Sequence, residues 1–306
     1  MKEDRSPERI LRDTVDELST EQNLQHVCQR ERGTEPLPSQ AAVEQIIDIS
    51  RAVIFPGFFG DAEFNCNNLP YSIGLNVERL QRLLTRQIAS VYDLAGIQPL
   101  PGQTLRSQAA DKALDFIASL PELRAWMADD VEAIFNGDPA AVSPGEVIYS
   151  YPAVRAITNY RVAHRLLELG VPVLPRMISE RAHRETGIDI HPGATIGRGF
   201  MIDHGTGVVI GETAIIGNNV KIYQGVTLGA RSFPTDENNN PVKGLPRHPI
   251  IGDNVVIYAN STILGRITIG SDSIIGGNIW ITEDIAPRSV VVQARADNHN
   301  IKSLDK

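Results

Sequence analysis

From Ile251 onward an aliphatic residue returns at every sixth position: Ile251, Ile257, Ile263, Ile269, Ile275 and Ile281, without a slip. An earlier run, Ile210, Ile216, Ile222 and Leu228, keeps the same period, and a still earlier one reads Ile190, Ile196 and Ile202. The fifth position of each hexad is apolar or small, as at Ala214, Val220, Val226, Val255, Ser261 and Ser273. A period of six matches neither the 3.6-residue helix nor the two-residue alternation of a half-buried strand. It matches a short strand, a turn and another short strand, with one aliphatic turned inward on each face. Three hexads close one triangular coil of about 18 residues, and stacked coils pair as parallel strands about 4.8 Å apart. The pattern predicts a parallel β-helix of about four coils or slightly more. A β-sandwich would show alternation and variable turns instead.

The chain upstream has a different texture. Sixteen of the 25 glycines fall between Gly187 and Gly277, and the earlier part reads as helix. Apolar spacings of three and four predict amphipathic helices over 41–53, 75–94 and 109–135, with Ile49 off the first stripe and Pro121 interrupting the third. A further helix is expected over 153–169, stopped by Gly170. Pro56-Gly57, the stretch 96–102 and Gly137-Asp138-Pro139 divide these segments. The first 35 or so residues are polar, weakly patterned and expected to fray.

Composition excludes several classes of function. The 306 residues suffice for two domains or one large one, and 42% hydrophobic with 22% charged residues reads as soluble and globular. A formal charge of −8 makes the chain a poor candidate for coating nucleic acid or anionic membranes, although a local basic pocket can still hold an anion. The two cysteines, Cys28 and Cys66, support neither a disulfide framework nor a cysteine zinc site. The N-terminus is polar, and no apolar run is long enough to span a membrane, so a cytoplasmic setting is expected.

Chemistry in a solenoid must come from outward positions and from breaks in the repeat. One break is the run Asp189-Ile190-His191-Pro192. A second is Ile202 to Ile210, spaced by eight residues, where two extra residues bulge out around Asp203-His204-Gly205. A third is an Asn- and Pro-rich loop over 234–250, whose exit reads Arg247-His248-Pro249. A fourth is Gly137-Asp138-Pro139 in the helical part. Asp189 and Asp203-His204 fall near one edge of adjacent coils, and a carboxylate beside an imidazole is the arrangement of a general base. Arg247-His248 reads as an anion-binding pair. His191 reads as a turn residue, and His164 and His183 as surface or core residues of helices.

At these residues the sequence resembles serine O-acetyltransferase, a hexapeptide-repeat acyltransferase of cysteine biosynthesis. The resemblance runs through Gly137-Asp138-Pro139, Tyr160-Arg161-Val162-Ala163-His164 and then 187–292, with DIHP, DHGTGVVIGETA, QGVTLG and RHP as its specific motifs. It implies an α+β fold: a helical N-terminal domain over 1–186, a left-handed parallel β-helix over 187–292 and a tail over 293–306. It implies that His204 takes the proton of the serine hydroxyl and that Asp189 orients His204. Asp138 and Asp203 would hold the serine ammonium, Arg247 the carboxylate, and His248 the substrate or the oxyanion. Acetyl-CoA would be the co-substrate, with no prosthetic group or metal. Its pantetheine arm would pass Gly229, Ala230, Ala259 and Gly277. The resemblance further implies a homotrimer or a dimer of trimers, with sites at subunit interfaces and cysteine as a feedback inhibitor.

The chain departs from the family at its longer N-terminus, at its longer Asn-rich loop and at its tail. The tail lacks the Gly-x-Pro-Ala stretch and the terminal isoleucine that docks into a partner sulfhydrylase, so sulfhydrylase docking does not carry over. Three alternatives stay open on the residues alone. They are an acyltransferase for another acceptor, a metal enzyme of the γ-carbonic-anhydrase type, and a scaffold whose β-helix only trimerises.

Overall fold

The computed structural model describes residues 6–24, 27, 33–60 and 68–294. Cys28, Cys66 and the tail beyond Ala294 lie outside the described residues. Two short helices, α1 (Pro7–Leu18) and α2 (Glu21–Leu24), belong to a unit of their own that ends at Pro36. Ser6 caps α1 by accepting the Arg9 N–H, and Pro7 occupies a position where its missing N–H costs nothing.

The second unit starts with α3 (Gln40–Ile54), α4 (Leu69–Leu94), α5 (Leu105–Gly137), α6 (Pro144–Ser150), α7 (Pro152–Glu168) and α8 (Leu174–Thr186). The expected stripes are buried: Val43, Ile46 and Ile47 in α3, and Leu80, Leu84 and Ile88 in α4. Two details differ from the sequence reading. Ile49, off the stripe, is also buried, because α3 packs against α4, α5, α7 and α8 rather than against one partner. Pro121 does not divide α5, which runs unbroken for 33 residues.

Beyond α8 the chain winds into three parallel sheets. The first face holds β1 (Asp189–Ile190), β4 (Val209–Ile210), β7 (Thr227–Gly229), β10 (Thr262–Leu264) and β13 (Trp280–Ile281). The second holds β2 (Thr195–Ile196), β5 (Ile215–Ile216), β8 (Ile250–Ile251) and β11 (Thr268–Ile269). The third holds β3 (Met201–Asp203), β6 (Lys221–Tyr223), β9 (Val256–Ile257), β12 (Ile274–Ile275) and β14 (Val290–Val291). Every pairing is parallel, and the six-spaced aliphatics from Ile190 to Ile281 all point into the prism and are buried. At the fifth positions Ser261 and Ser273 are fully buried yet satisfied; Ser261 Oγ donates to the Gly276 carbonyl at 2.6 Å. The solenoid makes about five turns, rather than the four or slightly more read from the repeat, because the strand pattern extends to β14.

The register locates the breaks. Thr227 lies opposite Val209 eighteen residues earlier, one regular coil. Val209 lies opposite Asp189 twenty residues earlier, so the bulge after Asp203 holds the two extra residues. Ile250 lies opposite Ile215 thirty-five residues earlier, so the loop before it leaves the solenoid and returns to the same column.

The first coil would leave carbonyls unpaired at the open end of the prism. Helix α7 covers them. The Tyr160 hydroxyl donates to the Ala194 carbonyl at 2.6 Å, Arg161 donates to the carbonyls of Ile196 and Gly197, and the His164 ring lies 2.7 Å from the Pro192 carbonyl. Asp130 of α5 grips Arg161 through both oxygens, at 2.7 and 2.9 Å, and also accepts the Phe200 N–H. Among the described residues no helix is long and apolar enough to cross a membrane.

Candidate active site

The candidate residues gather at two corners of the prism. The first lies between the third and first faces, where β3 hands over to β4. His204 follows β3 directly, and its backbone turns back at φ 56°, in the left-handed region. Its ring is 75% exposed and lies 3.9 Å from the carboxylate of its neighbour Asp203, which is largely covered. The bulge carries the ring out of the solenoid instead of into the core.

Asp138 reaches the same corner from the C-terminal end of α5. Its Oδ2 accepts the Tyr151 hydroxyl at 2.6 Å, and its Oδ1 accepts the Ala140 N–H at 2.8 Å. The tyrosine bond holds the Asp138 carboxyl below its ordinary range, the backbone bond adds to this, and His204 and Lys221 stand close enough to lower it further. Asp189 opens β1 alongside the bulge: its N–H donates to the Val208 carbonyl, and the Gly207 N–H donates to the Gly187 carbonyl. Among the described residues no hydrogen bond or ion pair joins the Asp189 carboxylate to His204; the nearest carboxylate partner of the ring is Asp203.

The second corner lies between the first and second faces, where the long loop returns. Thr213 organises it. Its hydroxyl accepts the N–H groups of Arg247 and His248, at 2.9 and 3.2 Å, and its own N–H donates to His248 Nδ1 at 3.0 Å. With Nδ1 accepting, the neutral ring carries its proton on Nε2. Burial pushes the His248 imidazole down to about 4, and the Arg247 guanidinium adds to the effect. A Cβ on Gly211 would stand 2.0 Å from the His248 ring, so only glycine admits the ring there. Glu212 accepts from Arg247 at 2.6 Å, and this bond lowers the Glu212 carboxyl. His191 accepts the Gly193 N–H through Nδ1, as a turn residue does, and it stands within the field of Glu212 and Arg247.

Gly211, Glu212 and Thr213 received no role from the sequence alone. They lie one coil before Arg247-His248 within the regular hexad from Ile210 to Ile216, so no break in the repeat marked them. The four small residues do not share a corner. Gly229 and Ala230 close β7 at the Arg247 corner, whereas Ala259 and Gly277 stack in successive coils at the His204 corner, where the Asn278 N–H donates to the Ala259 carbonyl. Among the described residues no group of three His, Cys, Asp or Glu could hold a metal ion.

Short parallel strands on a six-residue period, with the candidate chemical groups at corners and bulges, define a hexapeptide-repeat protein. Residues 248–278 match the bacterial transferase hexapeptide (six repeats) family. Over 272 residues, 88% of this chain and 85% of the relative, the sequence is 47% identical to a plasmid-borne serine acetyltransferase of Synechococcus elongatus. The fold is similar to serine acetyltransferase isoform 3 of Entamoeba histolytica in complex with cysteine, with TM-score 0.72 and 33% identity, covering 97% of this chain and 96% of that one. It is also similar to the Neisseria gonorrhoeae serine acetyltransferase in complex with serine, with TM-score 0.54 and 29% identity over 84% of this chain and 97% of that one. The chain belongs to the serine acetyltransferase family, and its solenoid is the left-handed β-helix that the resemblance implied.

Proposed function

We propose that the chain transfers the acetyl group of acetyl-CoA to the hydroxyl of L-serine, giving O-acetyl-L-serine and CoA. One observation carries the reading. On a chain 47% identical to a serine acetyltransferase, carboxylates and an exposed imidazole occupy one corner, and a guanidinium and a buried neutral imidazole occupy the other. A zwitterionic amino acid needs acids for its ammonium and a guanidinium for its carboxylate.

In this reading Asp138 and Asp203 bind the ammonium. Arg247, steadied by Glu212, binds the carboxylate. His204 accepts the hydroxyl proton as the serine oxygen attacks the thioester carbonyl, with Asp189 orienting the ring. The carbonyl oxygen gains the charge, and His248, neutral with its proton on Nε2, donates a hydrogen bond to it. Collapse of the tetrahedral intermediate expels the CoA thiolate, which takes the proton from the His204 imidazolium.

The face between the two corners is about 10 Å wide or more, too far for one serine to bridge. We assign the active form to a homotrimer, or a dimer of trimers, in which the His204 corner of one copy faces the Arg247 corner of the next. The acetyl-CoA arm then lies between Ala259 and Gly277 of one copy and Gly229 and Ala230 of its neighbour. Cysteine shares serine's ammonium and carboxylate and competes at this site. Acetyl-CoA as donor fits a cytoplasmic setting. The comparisons do not favour another acceptor or a metal enzyme of the γ-carbonic-anhydrase type.

The test is a thiol-release assay with acetyl-CoA and a panel of L-serine, L-homoserine and sugars. Release should be far faster with serine, and comparable rates with a sugar would overturn the reading.

A further inference from the structure

We propose that Tyr151 and Lys221 are positioning residues for Asp138, holding its carboxylate over the His204 corner; this rests on the reading of Asp138 as the ammonium ligand. Asp138 is the C-cap of α5. A helix C-terminus carries partial negative charge, so a carboxylate there is repelled by its own helix unless other groups compensate. Two elements outside α5 supply the compensation. Tyr151, at the junction of α6 and α7, donates its hydroxyl to Oδ2 at 2.6 Å. Lys221, in β6, donates Nζ to the Gly137 carbonyl at 2.6 Å, placing a cation on the last turn of α5.

The packing beneath is tight. A Cβ on Gly137 would stand 2.2 Å from the Met201 sulfur, so the end of α5 rests directly on β3, the strand that leads into Asp203 and His204. The helical part and the β-helix thereby each place one contact on the Gly137-Asp138 pair. The Tyr151–Asp138 bond also pushes the Tyr151 hydroxyl up to about 12, so it remains a donor at neutral pH. Neither group touches serine in the proposed site; both act through Asp138.

The experiment compares Tyr151→Phe, Lys221→Met and Lys221→Arg with Asp138→Asn, each also combined with Asp138→Asn. Serine KM, acetyl-CoA KM and kcat are read on protein whose melting curve is wild-type-like. Tyr151→Phe and Lys221→Met should each raise serine KM about three- to tenfold, the loss of one charge-assisted bond, with acetyl-CoA KM unchanged. Lys221→Arg, which keeps a cation at the Gly137 carbonyl, should recover most of the loss. In the Asp138→Asn background neither substitution should add a further rise, because groups that act through one partner are not additive. If Asp138→Asn raises serine KM but Tyr151→Phe and Lys221→Met do not, the positioning role is overturned while the reading of Asp138 stands. If their effects persist in full without the Asp138 carboxylate, they act elsewhere and the proposal is wrong. If Asp138→Asn itself leaves serine KM unchanged, the ammonium reading falls and the positioning role with it.

Discussion

His204 and His248 are two imidazoles with opposite surroundings, and their roles divide accordingly. His204 is exposed, and its backbone is left-handed, as it also is at the turn residues Asn219, Asn254, Asn260 and Asn278 of later coils. His204→Ala should lower kcat by roughly 10²–10⁴, the usual worth of a general base, and leave acetyl-CoA binding largely intact. Asp189→Asn should be milder, since it alters only the ring's orientation. Steady-state kinetics with a direct acetyl-CoA binding measurement checks both; near wild-type turnover in His204→Ala would remove the ring from the mechanism. His248 is buried and pushed from 6.5 down to about 4. Between those values the unfolded imidazole binds a proton that the folded one refuses. The contribution of His248 to stability is therefore full above about 6.5 and is lost as the pH falls toward 4. His248→Asn should flatten that part of the stability–pH curve in thermal melts taken from about pH 7 down to about pH 4.5. An unchanged slope would show that other groups govern the acid side.

Among the elements, α7 has a structural task that its place in the sequence does not reveal. The stop at Gly170 bounds the helix expected over 153–169, close to the observed Pro152–Glu168. Its Tyr160, Arg161 and His164 are spent on carbonyls of the first coil, which has no strand beyond it to pair with. Arg161 and Asp130 are both buried, so each depends on the other for neutralisation. Arg161→Met should leave the Asp130 charge uncompensated and destabilise the fold by about 3–5 kcal/mol, read as a lower denaturant midpoint at unchanged slope. A wild-type midpoint would mean that the Phe200 N–H and the surrounding helix dipoles suffice for Asp130. The extent of α7 was legible from its stop at Gly170, although its burial is continuous from Ala156 to Ala163 rather than striped. The capping was not, because its partners lie roughly thirty residues away in a different class of element.

In the whole molecule, the two groups of proposed site residues stand on separate corners of one prism, and on the proposed reading the active unit is therefore an oligomer. If each site takes His204 from one copy and Arg247 from the next, His204→Ala and Arg247→Ala subunits are each inactive alone. Dissociated, mixed in equal amounts and reassembled, they form trimers in which every mixed ring restores one site in three. Random closed trimers should then regain about a quarter of wild-type activity. No recovery in mixed trimers confirmed by mass would place both residues in a site within one chain.

The repeat alone determined the solenoid. A side chain that must point inward every sixth residue leaves the backbone one way to wind, and the two-residue bulge and the loop showed as slips in that count before any coordinates. The types of Asp189, Asp203, His204, Arg247 and His248 were equally legible, because the apolar repeat has no use for them, and Asp138 stood out at a break between helices. Tertiary structure alone decided which of them meet. Asp138 joins Asp203 and His204 because the end of α5 rests on Met201 and Lys221. Arg247 and His248 are set by Thr213 and Glu212, thirty-four and thirty-five residues earlier. Spacing along the chain counts coils, but it does not say which corner a residue occupies once a bulge or an excursion has shifted the count. That depends on the hydrogen-bonded register between strands, which forms only when the coils stack.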